Sequence, residues 1–161
     1  NREDNLTGKP GYSWDYEGDL LGYKCYMIDI IAAICLEQMK KLPSNLKWRR
    51  YIQKRYNEAL GEYLQVPVWS NTCQYYCARV SSEHRDSLID YLASKKIHTS
   101  VHFKPLYLYN ILNKMNKREY KVIDKEWKRL ISLPCHTAMK EEDIDYVIYW
   151  VKSYFSSIKS K

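Results

Sequence analysis

The chain has 161 residues, 45% of them hydrophobic and 28% charged, with a formal net charge of +7. This is enough apolar material for one core, and it excludes a disordered or low-complexity composition. The most apolar run, residues 27–36, contains Asp29 and is too short to cross a bilayer, so the reading is of a protein with no membrane partner.

The basic excess is spread along the whole length, and no RNA-binding or zinc-finger signature accompanies it. It reads as a solvated basic surface rather than a nucleic-acid interface. Sixteen tyrosines and five tryptophans suit surfaces where apolar packing meets polar partners. Cys25, Cys35, Cys73, Cys77 and Cys135 are odd in number and scattered, without a signal peptide, which points to a reduced, cytoplasmic setting. The Cys73 and Cys77 spacing fits neither a zinc knuckle nor a redox Cys-x-x-Cys, so all five read as packing residues.

Residues 1–19 are polar, punctuated by Gly8, Pro10, Gly11 and Gly18, and read as a loop or hairpin. The chain opens on Asn1 straight into this segment, which has little core of its own; that suggests a piece of a longer protein. Residues 27–36 predict a helix so densely apolar that it is buried on several sides. The Leu42-Pro43-Ser44 step predicts its end, with Ser44 or Asn45 capping a second helix that carries Trp48, Ile52, Tyr56 and Leu60 until Gly61. The opposite face of that helix bears Lys47, Arg49, Arg50, Lys54 and Arg55 and reads as solvated. The residues themselves mark no domain boundary except where Asp19 gives way to the first helix.

Residues 72–80 predict a strand, followed by a helix capped by Ser81 or Ser82 with Leu88, Ile89, Leu92 and Ala93 inward, closed by Lys95 and Lys96. Residues 97–101 predict the next strand, with His98, Ser100, His102 and Lys104 on one face before Pro105 stops pairing. An aromatic, irregular stretch, residues 106–120, precedes a short helix near 124–130 with Trp127 inward. Ser132-Leu133-Pro134 predicts a third short strand. Glu141, Glu142 and Asp143 open a last helix whose stripe, Ile144, Val147, Ile148, Val151, Phe155 and Ile158, is the clearest in the chain. The class is α+β, a small antiparallel or mixed sheet with helices packed on it.

The four histidines, His84, His98, His102 and His136, match no metal-binding spacing. His84 and His98 read as surface positions. His102 and His136 each follow a predicted strand with a proline nearby, where ligand-contacting side chains often emerge. No phosphate-cradling glycine loop, nucleophile elbow or carboxylate dyad is present, and no residue is singled out as catalytic.

Three blocks carry a resemblance. Gly22-Tyr23-Lys24-Cys25-Tyr26-Met27-Ile28-Asp29-Ile30-Ile31-Ala32-Ala33-Ile34 resembles G-Y-(N/K)-x-x-M-x-D-I-x-A-A-I. Ile97 to Leu106, with Val101-His102-Phe103-Lys104-Pro105-Leu106, resembles G-I-x-T-x-V-H-Y-x-P-L-H. Leu133-Pro134-Cys135-His136 with Met139, Asp143 and Tyr146 resembles L-P-x-H-x-x-M-x-x-x-D-x-x-Y. In that order they are similar to the DegT/DnrJ/EryC1/StrS nucleotide-sugar aminotransferases, enzymes that use pyridoxal 5'-phosphate.

The resemblance implies the C-terminal part of a fold type I aminotransferase, residues 1–42 being a loop and buried helix that lead out of the large domain and residues 43–161 the small domain, in an enzyme that transfers an amino group, usually from glutamate, to a keto nucleotide-deoxysugar. It implies that the Schiff-base lysine belongs to a large domain outside this chain, so that the chain alone is inactive, and that the complete enzyme is a homodimer. It further implies that Lys24 reaches the cofactor phosphate, and that His102, Phe103, Tyr107 and His136 bind substrate. Phe103 stands where the family motif has tyrosine, and Tyr107 where it has histidine. The competing expectation is a non-catalytic remnant or interaction module of the same fold.

Overall fold

The structure is a computed structural model that describes residues 26–68, 71–110 and 120–159. It falls into two units, Asn1–Gln38 and Met39–Lys161. Helix α1 runs from Asp29 to Leu60 without interruption, so the two helices expected on either side of Pro43 are one. Proline removes the amide that would reach the Met39 carbonyl, a cost of about 3 kcal/mol in a helix interior. The helix continues because good helix formers flank the site and Ser44 Oγ donates to the Lys41 carbonyl at 2.8 Å. Its first turns, expected to be buried, are exposed in this chain, Ile30 by 70% and Ile34 by 54%. Its last turns bury Ile52, Gln53, Tyr56 and Leu60.

The sheet consists of two antiparallel strands, β1 (Tyr76–Arg79) and β2 (Leu130–Leu133), paired from Tyr76↔Leu133 to Arg79↔Leu130. The strand expected over 72–80 is shorter because its partner ends at Pro134, which has no amide to extend the ladder. Single antiparallel bridges extend the sheet sideways, Gln65 to Arg79 and Ser100 to Ser132. The strand expected over 97–101 is thus only a bridge at Ser100, since the four-residue β2 has little edge left to offer it.

Helix α2 (Ser82–Ser94) joins β1 to this bridge segment, with Ser81 as its cap residue. A 3-10 turn, Leu106–Leu108, and helix α3 (Lys121–Trp127) precede β2, and helix α4 (Glu141–Lys159) closes the described chain. The Arg85 guanidinium lies 5.2 Å from the ring centre of the half-buried Trp127, a cation–π contact between α2 and α3.

The core gathers Ile52, Tyr56 and Leu60 of α1, Tyr76 and Ala78 of β1, Leu88 and Leu92 of α2, Ile131 and Leu133 of β2, and Ile144, Val147 and Val151 of α4. Truncating a fully buried member such as Ile131 to alanine would cost roughly 2–5 kcal/mol. The last helix uses the stripe legible in the sequence, with Tyr154 added to it. Its start is fixed by acidic groups, Asp143 accepting from the Lys140 amide at 2.8 Å. Among the described residues no helix is long and apolar enough to cross a membrane.

Candidate functional site

The site is built on the segments by which the chain leaves α2 and β2. Helix α2 ends in a Schellman turn, in which the Lys96 amide reaches the Ala93 carbonyl (2.9 Å) and the Ile97 amide the Leu92 carbonyl (2.9 Å). Ile97 and Leu92, the residues flanking this turn, are both buried, so the chain leaves the helix in a fixed direction. Three residues on, Ser100 exchanges both backbone hydrogen bonds with Ser132, at 2.7 and 3.1 Å. This delivers His102 to the sheet edge.

There His102 is held on two sides. Its Nδ1 lies 2.8 Å from Ser132 Oγ, and its ring stacks on Tyr75 with centroids 4.1 Å apart. Ser132 is only 5% exposed, and its hydroxyl also meets Cys77 Sγ at 3.2 Å. Phe103 packs its edge on His102 (4.7 Å, 82°) but is 70% exposed. A hollow of about 280 Å³ is lined by Gln74, Tyr75, His98, Thr99, Ser100, His102, Ser132, Leu133, Pro134 and Cys135. The lining holds hydroxyls, an amide and imidazoles but no lysine, arginine or carboxylate.

His136 lies on the far side of Pro134. It lines a neighbouring cavity of about 440 Å³ together with Lys96, His98, Met139, Asp143, Tyr146 and others, and His98 and Pro134 form walls of both hollows. The loop carrying His136 is held by α1. Tyr56 donates to the Pro134 carbonyl (3.0 Å), Arg49 to the Cys135 carbonyl (2.9 Å) and the Trp48 indole to the Met139 carbonyl (3.1 Å). Each of these bonds links residues far apart in sequence, and together they replace the regular ladder that Pro134 ends.

The site residues expected from the sequence are therefore distributed. His102 and Phe103 adjoin one hollow and exposed His136 the other. Tyr107 lines neither: its hydroxyl donates to Asp124 Oδ1 (2.6 Å) and its ring packs on Tyr120 (4.7 Å). Burial and that carboxylate push the Tyr107 phenol up to about 12. Lys24 lies outside the described residues.

Three contributors carry no distinguishing signal in the sequence. Tyr75 is legible there only as an aromatic strand residue, and Ser132 only as part of a short strand. Arg49 belongs to the basic face that reads as solvated, yet its Nη1 binds the Gln74 and Cys135 carbonyls. Arg50 likewise donates to the Asn71 carbonyl (2.9 Å), and Arg55 pairs with Asp145. No local pattern could reveal these, because the acceptors are carbonyls or carboxylates from distant segments. No cluster of three or more metal-ligating side chains exists among the described residues.

The profile of the DegT/DnrJ/EryC1/StrS aminotransferase family matches residues 6–152. The chain is 29% identical to the spore coat polysaccharide biosynthesis protein SpsC of Bacillus subtilis, over 87% of this chain and 40% of that protein. It is 27% identical to the UDP-4-amino-4,6-dideoxy-N-acetyl-beta-L-altrosamine transaminase of Campylobacter jejuni, over 91% of this chain and 42% of that one. In three dimensions it superposes on the aminotransferase TlmJ of Streptoalloteichus hindustanus with a TM-score of 0.76, at 23% identity, over 91% of this chain and 41% of the other; this likeness concerns the fold. The chain thus spans about two fifths of the length of the curated relatives it matches.

Proposed function

From the premise that the chain belongs to the DegT/DnrJ/EryC1/StrS aminotransferase family, we propose that it is the C-terminal portion of a cytoplasmic, homodimeric enzyme. That enzyme transfers an amino group, from glutamate, to the keto group of a nucleotide-linked deoxysugar for surface-polysaccharide or glycoside biosynthesis. The names of the relatives, a polysaccharide biosynthesis protein and a sugar transaminase, support the substrate class. The coverage of about two fifths of their length supports the part-chain reading.

Pyridoxal phosphate, when bound, supplies the electron sink for such a transfer. The hollow beside His102 does not fit that cofactor on its own, since its lining has no amine to form a Schiff base and no cation to hold a phosphate. An uncharged, hydrogen-bonding lining beside an aromatic pair suits a sugar or nucleobase face instead. In this reading residues 43–161 are the small domain and residues 1–42 lead out of a large domain that carries the lysine; Lys24 would meet the phosphate, a role suited to a lysine ammonium.

The observation that carries the assignment is the anchoring of His102. With Nδ1 engaged by Ser132 and one ring face on Tyr75, Nε2 is the nitrogen left for substrate. Phe103 adds an exposed ring beside it. His136 is assigned a supporting contact to substrate from the neighbouring hollow, and Tyr107, whose hydroxyl is held by Asp124, contributes to substrate binding only through its ring.

Two measurements test this. Treated with pyridoxal phosphate and borohydride, the chain should give no stoichiometric pyridoxyl-lysine, and a single fully labelled lysine would overturn the placement of the catalytic lysine elsewhere. In the longer protein that includes this chain, His102→Ala should lower kcat/KM for the keto sugar by roughly tenfold or more, about 1.4 kcal/mol. An unchanged value would remove His102 from the substrate site.

A further inference from the structure

The sulfurs of Cys73 and Cys135 stand 3.9 Å apart, just past the end of the β1–β2 ladder. Cys73 is buried, 4% exposed, and Cys135 is half-buried. One guanidinium already clamps the two segments that bear them, with Arg49 Nη1 donating to the Gln74 carbonyl (2.7 Å) and to the Cys135 carbonyl (2.9 Å). The two thiols are therefore held side by side by contacts independent of the sulfurs.

We propose that Cys73 and Cys135 form a redox modification site, closing to an intrachain disulfide when the protein meets a hydroperoxide. Bond formation needs the sulfurs to approach to about 2.05 Å, a movement of about 1 Å each that side-chain rotation can supply. The hydrogen bond from Cys135 and the charge of Arg49 hold the Cys73 thiol below its ordinary range, while the same bond and burial push Cys135 up. The Arg49 charge favours a thiolate in this pair, here that of Cys73, and the bridge is the same whichever of the two facing sulfurs is oxidised first.

The oxidation takes two steps. The Cys73 thiolate attacks one peroxide oxygen, the O–O bond breaks, and the leaving oxygen takes a proton, leaving a sulfenic acid on Cys73. The Cys135 sulfur then attacks that sulfur, expels the hydroxyl as water after proton transfer from its own thiol, and completes the S–S bond. Two electrons leave the two sulfurs and the hydroperoxide is reduced to an alcohol or water. Burial of Cys73 favours such a small oxidant over a bulky disulfide.

The location gives the bridge a consequence. Cys135 lies between Pro134 and His136 and lines the His102 hollow, and Tyr75, which stacks on His102, is two residues from Cys73. A disulfide would staple both walls of that hollow together.

The test is thiol counting on the whole chain. After hydrogen peroxide and then alkylation, the protein should carry two fewer alkylated thiols than the untreated chain. A proteolytic map should show the Cys73 and Cys135 peptides joined, and dithiothreitol should restore both. Cys77→Ser should leave this pattern intact, whereas Cys135→Ser should abolish the bridge and leave a dimedone-trappable sulfenic acid on Cys73. Full alkylation of both cysteines after peroxide, or a bridge from either to a different cysteine, would overturn the proposal. The map of the unsubstituted chain decides it even where a variant fails to fold.

Discussion

Lys96 sits at φ 59°, in the left-handed region that side chains with a Cβ adopt at a cost of roughly 1–2 kcal/mol. The Schellman turn requires that conformation because it alone lets the Lys96 and Ile97 amides close back on Ala93 and Leu92. Glycine is the usual occupant, and a lysine here means that the turn is held by the buried Ile97 and Leu92 around it. Lys96→Gly should therefore raise stability by roughly 0.5–1 kcal/mol, read as an upward shift of the denaturant midpoint with unchanged slope. A decrease would mean that the Lys96 side chain itself contributes more than the relieved strain.

At the scale of elements, α1 acts as the brace of the loop after β2, and Tyr56 is the member of that brace that titrates. Burial pushes the Tyr56 and Tyr76 phenols well above their usual range, and both are hydrogen-bonded, to the Pro134 carbonyl and to Asn57 Oδ1. The folded state thus keeps protons that the unfolded chain releases near pH 10. Their contribution to stability is complete below that pH and is lost as pH rises toward the folded values. Denaturant midpoints measured from neutral pH to about 11 should fall steeply beyond about 10. Tyr56→Phe should start about 1 kcal/mol less stable at neutral pH and fall less steeply, and a slope equal to that of the unsubstituted chain would exclude Tyr56 as a source of the effect.

For the molecule as a whole, Met27 just before α1 and Ile30, Ile31, Ile34 and Leu36 in its first turns are exposed to solvent, an apolar run that soluble monomers rarely expose. We expect the chain to self-associate with rising concentration in sedimentation experiments. Ile30→Glu combined with Ile34→Glu should shift it toward monomer without lowering the stability of residues 39–161. A chain that stays monomeric at high concentration would show that this run is covered in solution.

Local periodicity and chain order made part of this molecule legible in its sequence. The α4 stripe, the end of α1 at Gly61, the cap at Ser81, the strand before Pro134 and the three motif blocks all depend on neighbours in sequence, and α+β architecture and family membership follow from them. Tertiary structure decided the rest. Pro43 did not end α1, because a single lost hydrogen bond is outweighed by the helix around it. The strands expected over 72–80 and 97–101 shrank to four residues and to one bridge, because strand length is set by the partner and Pro134 truncates that partner. The basic face of α1 became a set of clamps, and two cysteines read as packing became a facing pair, since the carbonyls and the second sulfur come from segments tens of residues away. Amide and thiol chemistry is printed in each residue type, but which groups meet depends on the packing of the core that brings α1, the end of β1 and the end of β2 together.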